Sequence, residues 1–187
     1  WPDHTESAAR NNLRQAIFKL RQSLGEEPPG AYLLVDAQSV QFKPQAPYTL
    51  DVERLQALLA EPGRPGLAQA LDLYAPLLSQ AALKTSATFD EWLMMAREQL
   101  HRQVLQSCSQ GVQTRIARTD WSGAVDVATR LLALDAWDEQ AYRALMQALA
   151  AQGQRAAALA AFEQCRRSLW EQLGITPMPE TIALAEK

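Results

Sequence analysis

Four cations stand close together near the start of the chain, in the stretch SAARNNLRQAIFKLRQSL, residues 7–24. They are Arg10, Arg14, Lys19 and Arg21, and no acid interrupts them between Ser7 and Gly25. Asn11, Gln15 and Gln22 are interspersed among them. Guanidinium and ammonium groups neutralise phosphates, and amides and guanidinium groups read base edges. The mix therefore suits nucleic-acid contact. The competing reading is a cationic face that merely meets solvent, but such a face usually carries acids four residues away, and this one does not. Phe18 lies among the polar residues. It either packs on a neighbouring element, the slightly preferred reading, or meets a thymine methyl.

The spacing predicts how these groups are positioned. Leu13, Ala16, Ile17, Leu20 and Leu24 recur at i, i+3, i+4 and i+7, which predicts a helix with one buried stripe. At about 100° per residue, Asn11, Gln15, Phe18, Lys19 and Gln22 fall opposite that stripe, and Arg10, Arg14 and Arg21 line its edge. Gly25 closes the helix. Next comes YLLVDAQSVQF, Tyr32 to Phe42: β-forming Leu33-Leu34-Val35, turn-like Asp36-Ala37-Gln38-Ser39, then Val40-Gln41-Phe42, ended by Pro44 and Pro47. Two strands alone are marginal, so this hairpin must pack on something. It either caps a helical domain or, with the basic helix before it, forms the DNA-contacting half of a winged helix: recognition helix plus β-hairpin wing.

Composition is that of a globular protein, with 48% hydrophobic and 21% charged residues in 187. One or two domains are expected. The net charge is −3, all of it in residues 48–187, while residues 1–47 balance five cations against five acids. That balance excludes a nucleic-acid coat but not a local basic patch. No run approaches the roughly 18 apolar residues of a membrane span, and no signal peptide is recognisable. Cys108 and Cys165 sit in helical apolar patterns and read as buried free thiols in a reducing compartment, although a disulfide stays open.

Catalytic groupings are scarce. His4 and His101 are the two histidines. Cys108 could share a helix face with His101, but the two would stand roughly 10 Å apart along the axis, beyond hydrogen-bond reach. No metal-ligand spacing and no phosphate loop is present. The acid pairs Asp90-Glu91 and Asp138-Glu139 fall at helix starts, where the macrodipole favours them. The expectation is a non-enzyme without cofactor or metal.

From Asp51 onward the chain reads as helical: Asp51 as N-cap of a helix over 52–60, a loop at 61–66, then segments near 67–78, 89–118, 121–134, 138–152, 154–173 and 179–186. A 34-residue repeat sets Ala124 over Ala158, Ala128 over Phe162 and Leu131 over Cys165, the period of tetratricopeptide helical hairpins. Tyr142, Leu145, Leu149, Gly153, Ala158 and Phe162 fit its packing positions, and Gly111 stands where a leucine is expected. An ordinary helical bundle is the alternative. In both, Trp92, Met94, Met95 and Met146 belong to the core.

The blocks FDEWL at Phe89 to Leu93, LLALD at Leu131 to Asp135 and LGITPMPET at Leu173 to Thr181 occur in this order. With DEQAYRALMQALAAQGQRAAALAAFEQCRRSLWE before the last, they resemble the bacterial transcriptional activator domain of antibiotic-regulatory activators, over residues 48–187. The front resembles the recognition helix and wing of an OmpR-type winged helix, over residues 1–47, beginning with WPD. The implied fold is mainly α: a tetratricopeptide-like helical hairpin array preceded by a partial winged helix, whose amino-terminal sheet and first two helices are not in this chain. The resemblance implies a cytoplasmic transcriptional activator. Asn11, Arg14, Gln15, Phe18 and Gln22 would face the major groove, Arg10, Lys19 and Arg21 would meet phosphates, and Gln38 and Ser39 would lie near the wing tip. The implied partners are DNA, RNA polymerase and a second copy as homodimer. A protein-interaction or oligomerisation module that does not itself bind DNA is the alternative, and a small-molecule sensor with a pocket between helical hairpins is a third.

Overall fold

The computed structural model describes residues 4–61, 66–78 and 86–186. The WPD residues and most of the loop expected at 61–66 lie outside them. The chain divides into two compact units, residues 1–50 and 51–187.

In the first unit, α1 runs from Glu6 to Ser23. Thr5 opens it, its hydroxyl accepting from Ala8 N at 3.4 Å. Gly25 ends it in the left-handed region, φ +62°. Gly25 N donates to Gln22 O and Glu26 N to Arg21 O, the paired bonds that close a helix on a glycine. Strands β1, Leu33–Val35, and β2, Val40–Phe42, pair antiparallel with Leu33 opposite Phe42 and Val35 opposite Val40. The Phe42 and Tyr48 rings meet at 5.6 Å. One expectation is overturned. The apolar stripe of α1 is not buried: Leu13 is 47% exposed, Ala16 and Leu20 are also exposed, and Ile17 and Leu24 are half-covered. Leu33 and Glu26 are the buried residues among those described here. The amphipathic spacing is present, but no second layer from the described residues of this unit covers it. Phe18 is likewise mostly exposed, at 67%.

The second unit is helical: α2 (Asp51–Ala60), α3 (Leu67–Leu73), α4 (Ala87–Ala117), α5 (Trp121–Leu134), α6 (Glu139–Ala151), α7 (Arg155–Leu173) and α8 (Pro179–Ala185). Asp51 is the first helical residue rather than a cap, its carboxylate accepting from Val52 N at 2.8 Å. Ser86, Asp120 and Asp138 cap α4, α5 and α6 through backbone N–H groups three residues on. Each helix from α4 to α7 packs on the next, α6 also meets α4, and α8 lies against α6 and α7.

Two apolar cores result. One joins α2 to α6 around Leu67, Val104, Cys108, Val127 and Leu131. The other joins α6 to α7 around Tyr142, Met146, Cys165 and Leu169, with Leu184 of α8 packed against it. The residues paired by the 34-residue repeat all point inward: Ala124, Ala158, Ala128, Leu131 and Cys165 are buried, and Phe162 is packed on the second core.

Gly111 breaks the repeat for a packing reason. A Cβ there would collide with the Leu67 side chain, which is fully buried against α4. Helix α3 thus occupies the space where a leucine is expected. Of the four residues expected in the core, Met146 is buried, but Trp92, Met94 and Met95 are exposed. The cause is length. At 1.5 Å per residue the 31-residue α4 outruns the 14-residue α5 by roughly 25 Å, and its first turns extend past α5. Neither Cys108 nor Cys165 is in a disulfide, and both are buried.

Candidate nucleic-acid interface

Along α1, Asn11, Arg14, Gln15, Phe18, Lys19 and Gln22 are all exposed. The cations of the helix are not equivalent. Arg10 is exposed but pairs with Glu6, one turn earlier and just ahead of the acid-free stretch. Arg21 is half-buried, its Nε 2.9 Å from Oε2 of Glu26. Arg14 and Lys19 have no ion pair among the described residues. The expectation of a wholly uncompensated face therefore needs correcting: Glu6 in the first turn of α1 and Glu26 just past its end pair with two of the four cations.

Glu26 is the residue that sequence reasoning missed. Its Oε1 accepts from Gly30 N, Tyr32 N and Leu33 N, each at 2.9 Å, and its Oε2 faces Arg21. The Arg21 Nε and Glu26 Oε2 atoms are buried and have no second partner among the described residues. One carboxylate thus ties the end of α1 to the start of β1. The Leu33 N–H bond is the strongest influence on its titration. With the Tyr32 and Gly30 N–H groups and the Arg21 charge, it outweighs burial and holds the carboxyl below its usual range. The available signal was the order of residues: an acid just after a helix-ending glycine and before an extended run.

The hairpin turn is built by Asp36. Its Oδ1 accepts from Gln38 N and Ser39 N at 2.7 Å each, and its Oδ2 accepts from the Ser39 hydroxyl at 2.8 Å. These donors, Gln38 N–H first, hold its carboxyl below the usual range against desolvation. Gln38 and Ser39 are exposed at the turn, but the Ser39 hydroxyl is already engaged. His101 accepts or donates at Nδ1 with the Tyr74 hydroxyl, 2.9 Å away. Cys108 is buried on α4. No group of three or more metal-ligating residues occurs among the described residues.

The motif blocks of the second unit each perform a structural task. In 89–93, Leu93 is buried and the Phe89 and Trp92 rings meet at 5.3 Å. In 131–135, Leu131 enters the first core and Asp135 accepts from Trp137 N at 3.1 Å in the turn to α6. In 173–181, Gly174 adopts φ +67° to end α7, and Pro179 starts α8 where no N–H is required. The Glu139 carboxylate then accepts from Met178 N at 2.8 Å and from the buried Thr181 hydroxyl at 3.2 Å, which pins α8 to α6. The model of the bacterial transcriptional activator domain matches residues 50–187. The chain belongs to that family.

Among solved structures, that of Mycobacterium tuberculosis EmbR in complex with a low affinity phosphopeptide is similar to this chain, with a TM-score of 0.58 at 20% identity. The likeness covers 100% of this chain and 51% of that one, so the chain spans about half the length of the matched protein. At that identity the likeness is one of fold. No curated protein matches the chain. For this activator-domain protein, no helix among the described residues is long and apolar enough to cross a membrane.

Proposed function

We propose that this member of the bacterial transcriptional activator domain family is a DNA-binding activator. In this reading α1 is the recognition helix of a winged helix, β1–β2 is its wing, and α4–α8 form a tetratricopeptide-like surface for another protein. The observation that carries it is the exposed face of α1, basic and rich in amides, joined to the hairpin through Glu26. Arg14 and Lys19, without an ion pair among the described residues, supply the salt-dependent attraction to phosphate, and Asn11, Gln15 and Gln22 supply base-edge contacts. Arg10 and Arg21 contribute less, because phosphate contact would compete with Glu6 and Glu26. The family context supports RNA polymerase contact, a homodimer on repeated sites and a cytoplasmic location as parts of the same proposal. The absence of a catalytic grouping in the sequence supports a non-enzyme. The phosphopeptide of the EmbR structure accompanies a chain about twice as long, so no phosphopeptide site is carried over.

The second reading, a protein-interaction module, has one observation in its favour. The apolar stripe of α1 lies open, and Leu13 and Leu20 offer a protein surface as readily as a groove-facing helix offers a polar one. The deciding experiment is fluorescence anisotropy of the full-length protein on promoter DNA at two salt concentrations. Tight, salt-sensitive, sequence-selective binding that Arg14→Ala and Gln15→Ala remove supports the activator. Absence of selective binding overturns it in favour of the interaction module.

A further inference from the structure

The stretch QVLQSCSQGVQ, residues 103–113, lies in the middle of α4 and holds no charged residue. Its glutamines, Gln103, Gln106, Gln110 and Gln113, recur at i, i+3, i+7 and i+10, so they share one face of the helix. The structure lines two open clefts with that face. The first, of about 490 Å³, lies between α2 and α4, with Gln56 opposite Gln103, Gln106 and Gln110. The second, of about 480 Å³, lies among α4, α6 and α8, with Gln113 beside Gln140 and Gln147. Two amides already meet across the first cleft, Gln56 Nε2 donating to Gln103 Oε1 at 3.5 Å.

The contrast with the outward face of α7 is one of charge. The outward face of α7 also carries glutamines, Gln164 and Gln172, but sets them among Glu163, Arg166, Arg167 and Glu171, the usual mixture of a helix side that only meets water. The charges of the glutamine-lined clefts are Arg143 and Glu180 in the second, equal and opposite. Arg143 donates to Thr181 Oγ1 at 3.0 Å within the fold.

A primary amide offers two donors and one acceptor oxygen. A row of them matches the alternating C=O and N–H groups of an extended polypeptide. The dimensions agree. Gln103 to Gln113 spans about 15 Å along α4, which about four to five residues of extended chain cover. Nucleic acid would need cations here, and a charged peptide would need opposite charge. We infer that the glutamine track along α4, continued by α6, binds an extended, uncharged polar segment of a partner protein through its main chain. This rests on the proposed reading of α4–α8 as a protein-binding surface.

The test is selection of a display library of random peptides, about ten residues long, on the intact chain. Affinities of enriched peptides are then measured by anisotropy at low and high salt. The expected peptides are uncharged, bind almost independently of salt, and lose binding when alternate amides are N-methylated. Gln106→Ala with Gln113→Ala should weaken them about tenfold and Gln147→Ala about threefold. All three side chains are exposed, so thermal unfolding should not change. Failure to enrich any peptide, enrichment of charged peptides, or binding indifferent to these substitutions overturns the inference. Promoter binding by full-length protein with the same substitutions separates the two readings: it persists if only the glutamine track fails and is absent if the activator reading fails.

Discussion

Protonating Glu26 removes the negative charge on which three backbone N–H groups and Arg21 converge. Because its folded-state pKa lies below the unfolded value, its contribution to stability is complete above the ordinary Glu value of about 4.3. That contribution is lost as pH falls through the lower folded value. The amide resonances of Gly30, Tyr32 and Leu33 should therefore move together in an NMR titration with a midpoint below that ordinary value. In Glu26→Gln the common titration should vanish and the hairpin should loosen from α1. Three independent midpoints would show that Glu26 does not organise the segment. Cys165 gives the opposite shift. Burial, with the Glu139 charge against a smaller Arg143 effect, pushes its thiol up to about 11. At pH 8 a thiol reagent should label neither Cys108 nor Cys165 until denaturant is added, when both should react. Neither carboxylate chemistry nor this shift was legible in the sequence. A pattern of residue types reveals which side chains are apolar. It does not reveal which backbone N–H groups a loop will turn toward one acid.

Helices were legible as elements because their period is local. The spacing of Leu13, Ile17 and Leu20 and the acids Asp90 and Asp138 at helix starts are properties of neighbouring residues. What covers a helix is not local. The stripe of α1 has the right period but is open, and Trp92, Met94 and Met95 are exposed because α5 is shorter than α4. At Gly111 the same distinction can be measured. Gly111→Leu forces a side chain into the space that Leu67 fills and should cost about 2–3 kcal/mol of stability by overpacking, despite better helix propensity. Leu67→Ala alone should cost about 2–5 kcal/mol. The two residues compete for one space, so the double variant should lose clearly less than the sum of the singles in chemical denaturation. Additive losses would place the cause outside the α3–α4 contact. For α1 as an element of the proposed DNA reader, Lys19→Ala should reduce the salt dependence of promoter binding by about one ion. Arg14→Ala should cost about 1–3 kcal/mol in discrimination between bases.

At the scale of the whole molecule, α6 determines how stability is shared within residues 51–187. Ala141 and Ala144 enter the core built with α2–α5, while Tyr142, Met146 and Leu149 enter the core built with α7. Glu139, at the first turn of α6, also holds α8. Neither core is complete without this helix, although the 34-residue repeat presents α6 only as the first half of its second hairpin. Met146→Ala opens a cavity on the α7 side alone and should cost about 2–5 kcal/mol. Native-state hydrogen exchange should locate that loss. Amides of α7 and α8 should open at a lower free energy than in the parent, while those of Val104, Cys108 and Val127 keep the protection of the first core. If protection falls equally in α4 and α5, the two cores unfold as one cooperative unit, and α6 transmits the loss rather than confining it.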